Sequence, residues 1–80
     1  MVDRDTEDLA DLIRSYVRAH PAASDSLRGI RDWWLRDIRP APDDARLLAA
    51  LDALAEAGAL FRIDNPDGTV LWTAGPALRG

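Results

Sequence analysis

The chain has 80 residues, which is enough for one small domain and no more. It contains no cysteine, no lysine and one histidine, which excludes disulfides, cysteine-ligated zinc, Schiff-base chemistry and histidine clusters. Fourteen acidic residues outweigh ten arginines and leave a net charge of −4, whereas a free-standing nucleic-acid binder usually carries a basic excess. We therefore expect one folded, non-enzymatic domain over residues 1–80, with frayed ends at 1–5 and 75–80.

The sequence also indicates a compartment. No apolar run approaches the roughly 20 residues that a membrane-spanning helix needs. The N-terminus, residues 1–8, is acidic and lacks the basic and apolar regions of a signal peptide. The use of arginine alone as the basic residue, with frequent alanine, is typical of a GC-rich bacterial genome. We expect a cytoplasmic bacterial protein.

A first helix is predicted over residues 6–19. Its apolar face repeats at helical spacing. The face comprises Leu9, Leu12, Ile13, Tyr16 and His20. Asp5 or Thr6 is expected to cap the start of this helix, and Pro21 disfavours its continuation.

A second helix is predicted over residues 25–38, with Ser24 or Ser26 as its cap. Its buried stripe comprises Leu27, Ile30, Trp34 and Ile38. Trp33 and Leu35 flank this stripe on opposite sides, because neighbouring residues on a helix point about 100° apart.

A third helix is predicted over residues 43–57, after a stiff linker at 39–42 that contains two prolines. Asp43 or Asp44 is expected to cap its start. Gly58 stands where a left-handed C-terminal cap belongs.

The C-terminal part is predicted to form a β-hairpin over residues 59–73. Pro66 suits the second position of a type I turn, and Gly68 suits the left-handed position after it. This turn places Arg62 opposite Trp72 on the two strands. The other face of the hairpin would then carry Phe61, Ile63, Leu71 and Thr73.

The order of three helices and a hairpin resembles the winged helix-turn-helix domain. The resemblance is sharpest where Glu56-Ala57-Gly58 ends the third helix, residues 60–63 form a short apolar strand, and Pro66-Asp67-Gly68 makes the turn of the wing. It implies an α+β fold, with three helices followed by a two-stranded β-hairpin wing. The linker at 39–42 departs from the pattern, because it is longer than the turn of a tight helix-turn-helix.

In DNA-binding members of that family, the third helix lies in the major groove. Here its outer face offers Arg46, Ala49, Asp52, Ala53 and Glu56. Residues 41–60 contain four acidic residues and one arginine, a local net charge of −3. Carboxylates near phosphates lose the counterion-release contribution to affinity. The resemblance therefore implies the scaffold and not the DNA-reading residues.

Several apolar residues are candidates for a protein interface. They are Trp33, Ala49, Ala53, Phe61 and Trp72. Trp33 cannot share the buried position of Trp34, and Trp72 lies on a hairpin that is partly apolar on both faces. We expect Trp33, Trp72 or both to be partly exposed, unless loops or Arg62 cover them. Ala49 and Ala53 permit close approach of another helix, although alanine also simply favours helix.

An alternative set of candidates would contact nucleic acid. It comprises Arg28, Arg31, Arg36 and Arg46. Against this, residues 21–40 have a net charge of only +1, and their arginines have aspartate neighbours at Asp32 and Asp37. No catalytic, cofactor-binding or metal-ligating set is present, since His20 is alone and the acidic pairs fit helix caps.

The function predicted from the sequence is a small, non-catalytic winged-helix module that regulates by binding protein. The partner would be another protein or a second copy of the chain. The alternative is a DNA-binding winged-helix transcriptional regulator. No membrane, metal or cofactor enters either interpretation.

Overall fold

The computed structural model describes residues 4–76 and shows an α+β fold of helices packed on a three-stranded antiparallel sheet. The first half contains α1 (Arg4–Ala19), β1 (Ser24–Asp25), α2 (Leu27–Gly29) and a π-helical turn (Ile30–Trp34). The second half contains α3 (Asp44–Glu56), β2 (Leu60–Asp64) and β3 (Val70–Ala74). The α+β class expected from the sequence is confirmed.

The first helix buries a slightly different face from the one predicted. Its buried residues are Thr6, Leu9, Ala10, Ile13 and Val17. This stripe is rotated away from Leu12, which is 44% exposed, and from His20, which is exposed. The helix begins at Arg4, so Asp5 and Thr6 lie in its first turn and are not its cap, contrary to expectation.

The second helix is much shorter than the predicted 25–38. Ser26 caps α2 as expected, with its Oγ accepting from the Gly29 amide at 3.2 Å. The chain then widens into the π-helical turn, in which the Leu35 amide donates to the Ile30 carbonyl at 3.0 Å. This wider turn buries both Trp34 and Leu35 and leaves Trp33 outside.

Both ends of α3 match the local signals in the sequence. Asp43 Oδ1 accepts from the Arg46 amide at 2.8 Å and caps the start. Gly58 has a φ of +79° and ends the helix. The Ala59 amide donates to the Leu54 carbonyl at 2.9 Å, and the Gly58 amide donates to the Ala55 carbonyl at 3.1 Å. These two bonds form a Schellman cap.

The hairpin has the predicted register, with Arg62 opposite Trp72 and Phe61 opposite Thr73. Its turn is closed by the Gly68 amide donating to the Asn65 carbonyl at 3.0 Å, and Gly68 has a φ of +91°.

A third strand in the sheet was not predicted. β1 pairs with β3 in the antiparallel direction and gives the strand order β1-β3-β2. The Thr73 hydroxyl reinforces this edge by donating to the Ala23 carbonyl at 3.1 Å. The segment is only two polar residues long, so it carries no apolar alternation and depends on β3 for its extended shape.

The core lies between the helices and the inner face of the sheet. Its largest fully buried side chains are Ile13, Ile30, Leu47, Leu51, Leu54, Leu60 and Val17. Trp72 is also part of this core at 2% exposure, so its candidacy as a surface contact was wrong. Register explains the error, because Trp72 shares the inner face with Leu60 and Ala74, both buried.

The chain ends were expected to fray. Residues 1–3 and 77–80 lie outside the described part of the chain. Within it, Arg4 and Asp5 are helical, and Gly75 is buried with its amide donating to the Ala59 carbonyl at 2.9 Å.

Candidate interaction surfaces

Trp33 is the most exposed large apolar side chain among residues 4–76, at 65%. It lies at a shallow cleft of about 330 Å³ between α1 and the π-helical turn. The lining residues are Tyr16, His20, Trp33, Trp34, Arg36 and Asp37. Four of these six side chains are aromatic rings, so the cleft offers flat apolar surface with one arginine and one aspartate beside it. We call it the aromatic cleft.

The aromatic cleft is held in place by ring stacking. The rings of Tyr16 and Trp34 lie 5.0 Å apart between centroids and are nearly parallel, at 13°. His20, one turn further along, lies 4.6 Å from Tyr16 with a tilt of 38°. Trp34 is buried, so it fixes Tyr16 from the core side while Trp33 projects outwards. Such a preformed aromatic surface suits the anchor residue of a protein partner.

A second apolar surface is the outer face of the hairpin. Phe61 and Ile63 are 48% and 40% exposed, and Leu71 and Thr73, their partners across the ladder, are half-buried. We call these four residues the outer sheet face. Since the helices cover only the inner face, these side chains are left to solvent. Phe61 was a candidate interface residue, and its side chain is exposed enough to contact a partner.

Three of the four candidate nucleic-acid contacts form ion pairs with aspartates of the same chain. Arg31 pairs with Asp44, and the Arg46 guanidinium lies 2.7 Å from an Asp5 carboxylate oxygen. Arg28 lies 3.6 Å from Asp32 on the same helical stretch. Arg36 is exposed and forms no ion pair with another residue of the described part. Three of the four arginines are thus paired with aspartates of the same chain.

The outer face of α3 is acidic and only partly free. Ala49, Asp52 and Glu56 are exposed. Ala53 is half-buried and lines a depression against α1 that also contains Ala10 and Glu7, so it is less open than expected. The two alanines do not form one open stripe, because Ala53 turns towards α1.

A groove of about 180 Å³, smaller than the aromatic cleft, lies between the start of α1 and the proline linker. Leu12, Ile38, Pro40 and Pro42 are among its lining residues, and the Arg46–Asp5 ion pair stands at the same groove. Within residues 4–76, no group of three or more histidine and acidic side chains could hold a metal ion. None of the helices in that range has the length and apolar character needed to cross a bilayer.

Two features of these surfaces were missed from the sequence. Tyr16 packs against the core as its place on the apolar face predicted, but it also forms one wall of the aromatic cleft with the exposed His20. Their spacing of four residues was the available signal, since residues four apart at the end of a helix are neighbours. Ile63 was placed beside Phe61 in register but not recognised as a contact residue.

The chain matches no protein-family model, no curated protein and no solved structure at a significant level. Any functional conclusion therefore depends on the residues of this chain itself.

Proposed function

We propose that this chain is a non-catalytic winged-helix module that regulates by binding protein, and that Trp33 anchors the partner. The exposure of Trp33 carries this proposal. Trp33 is 65% exposed, so folding buries only a minor part of its apolar surface. The rest can still be buried against a partner, where it would contribute hydrophobic free energy to binding. Aromatic anchors in preformed pockets dominate the binding energy of many interfaces.

The winged-helix assignment is supported by the order of the C-terminal elements. A long α3 ends at the Gly58 cap and passes directly into a hairpin whose turn contains Pro66 and Gly68. These are the features on which the resemblance was founded.

A protein partner is favoured over DNA by the pairing of the arginines. An arginine that contacts a DNA phosphate increases affinity because it releases counterions condensed on the DNA. Arg31, Arg46 and Arg28 already neutralise aspartates, so moving them to DNA would leave those carboxylates unpaired near phosphate. The DNA-binding alternative keeps one free cation among its four candidate contacts, because Arg36 is exposed and forms no ion pair within the described residues.

Capture from an extract of the source organism tests this function. The immobilised chain would be compared with Trp33→Ala and with Leu12→Ala, which shortens a 44% exposed apolar side chain on α1. We expect proteins that bind the wild type and Leu12→Ala but are lost from Trp33→Ala. Capture that is unaffected by Trp33→Ala, or the absence of any specific protein, would contradict the assignment.

A further inference from the structure

We propose that the free edge of β2 pairs with the β2 strand of a second copy of this chain, in an antiparallel register centred on Ile63. This inference goes beyond the interaction module proposed above. It uses a different surface from the aromatic cleft, so the two can be tested separately.

β2 is an edge strand, because the sheet of the described residues has the order β1-β3-β2. Its hydrogen-bonding direction follows from the two ends of the ladder. The Gly75 amide donates to the Ala59 carbonyl at 2.9 Å, and the Asn65 amide donates to the Thr69 carbonyl at 2.8 Å. In an antiparallel pair, these positions alternate. The odd-numbered residues of β2 therefore bond to β3, and the backbone groups of Arg62 and Asp64 point to the free edge.

The free edge of β2 carries one positive and one negative side chain. Arg62 and Asp64 are side by side on one face of β2, with their side chains 48% and 68% exposed and 3.2 Å apart. When two copies of β2 pair with Ile63 opposite Ile63, Arg62 of each copy lies opposite Asp64 of the other. Both residues have their backbone groups at the edge, so each such pair also exchanges backbone hydrogen bonds.

Charge disfavours the adjacent registers. A shift that centres the pairing on Arg62 places two guanidinium groups directly opposite each other. A shift that centres it on Asp64 does the same for two carboxylates. Like charges directly across a ladder are destabilising, whereas opposite charges are favourable. The same charges that normally protect an edge strand thus select one register for a second copy.

Apolar side chains gain from this register as well. On the outer sheet face, Ile63 meets its own counterpart, and Phe61 lies diagonally across from Ile63 of the other copy, within reach of an aromatic ring. Both side chains are at least 40% exposed in the single chain. The two three-stranded sheets would join into one continuous sheet of six strands. An interface of two five-residue strands is small, so we expect weak, concentration-dependent association.

Charge reversal tests this pairing in the intact chain. Sedimentation equilibrium would be measured up to about 1 mM, because an interface of this size is weak. We expect the wild type to dimerise, and Arg62→Asp and Asp64→Arg each to weaken dimerisation by about tenfold or more. Mixing these two variants restores charge complementarity and should give a heterodimer. The double variant R62D/D64R should dimerise like the wild type.

Arg18→Asp and Asp52→Arg are matched controls, because they make the same changes in net charge at exposed positions on α1 and α3. They should dimerise like the wild type, and their mixture should show no preferred heterodimer. A wild type that stays monomeric at about 1 mM overturns the inference. So does a dimer that is insensitive to charge reversal at 62 and 64. Either result leaves the Trp33-dependent capture of a different protein untouched, so the two failures are distinguishable.

Discussion

Tyr16 and Trp34 stack with 5.0 Å between their ring centroids and 13° between their planes, and this contact joins α1 to the π-helical turn. It connects the core to the aromatic cleft, because Trp34 is buried while Tyr16 is half-buried at the cleft wall. Trp33 immediately precedes Trp34, so its orientation depends on how α1 packs.

Replacing Tyr16 with leucine should remove the stacking while keeping an apolar side chain. Aromatic pairs contribute about 0.5–1.5 kcal/mol beyond their buried area, so we expect the free energy of unfolding to fall by about 1 kcal/mol. Urea denaturation followed by circular dichroism measures this. Tyr16→Phe is the control, since it retains the ring and should stay within about 0.5 kcal/mol of the wild type. Equal stability of the leucine and phenylalanine variants would argue against a stabilising stack.

Replacing Trp72 and replacing Trp33 should have very different effects on the free energy of unfolding. Trp72 is 2% exposed, and Trp72→Ala should cost about 3–5 kcal/mol, with Trp72→Phe as a milder cavity if alanine prevents folding. Trp33→Ala should change stability by no more than about 0.5 kcal/mol. Iodide quenching gives an independent measure, because it should reach Trp33 and spare Trp72. A Trp33→Ala variant as unstable as Trp72→Ala would place Trp33 in the core and contradict its role.

Gly75 is needed because β3 passes close to the end of α3. A Cβ atom at this position would lie 2.3 Å from the Gly58 carbonyl oxygen and 2.9 Å from two backbone atoms of Ala59 and Leu60. Backbone cannot move aside cheaply, so Gly75→Ala should cost about 1–3 kcal/mol in thermal or urea unfolding.

Gly68→Ala provides the comparison for Gly75→Ala. A Cβ at Gly68 meets no atom within 4 Å, and only the left-handed φ of +91° is strained. We expect a cost of about 1 kcal/mol there. If Gly75→Ala were as stable as the wild type, β3 would not approach Gly58 this closely.

The turn of the β2–β3 hairpin should make stability sensitive to acid. The Thr69 hydroxyl and amide donate to Asp67 Oδ1 at 2.7 and 3.0 Å and hold the pKa of Asp67 below its ordinary value of 3.8. Because the folded pKa is the lower one, this stabilisation is complete above the unfolded pKa. It is lost as the pH falls through the folded pKa.

Thr69→Val removes the hydroxyl donor and should move the pKa of Asp67 part of the way back towards 3.8. The difference in unfolding free energy between wild type and variant should be largest near neutral pH and shrink below about pH 4. It should not vanish, since Thr69 Oγ1 also accepts from Asn65 Nδ2 at 3.0 Å. NMR titration of the side-chain carboxyl carbon measures the pKa directly. Titration of Asp67 at 3.8 or above in the wild type would refute the proposed hydrogen bonds.

The elements predicted correctly are those with local signals. Asp43 caps α3 with its own carboxylate, and Gly58 and Gly68 adopt the left-handed conformations that glycine favours. Each of these depends on neighbours within a few residues. The hairpin register followed from the turn, which also predicted the facing pair of Arg62 and Trp72.

The features that were missed depend on distant parts of the chain. β1 is held by β3, nearly fifty residues away in sequence, and its two polar residues have no strand pattern of their own. The chain leaves helical geometry at Leu35, where φ is −114°, so the helix ends just after Trp34. Sequence periodicity assumes the regular helix and so predicted a longer one. Which face of the hairpin the helices cover, and therefore the burial of Trp72, is likewise a property of tertiary packing.

The central claim is that this chain binds protein and not DNA, since three of the four candidate DNA contacts are already paired with aspartates. Fluorescence anisotropy of labelled random-sequence duplex DNA tests it most directly, with the chain added at low salt to roughly 100 µM, the weak end of non-specific affinity. We predict no saturable binding. Micromolar binding that weakens steeply with added salt, and that is lost on substitution of Arg28, Arg31, Arg36 or Arg46, would contradict the claim.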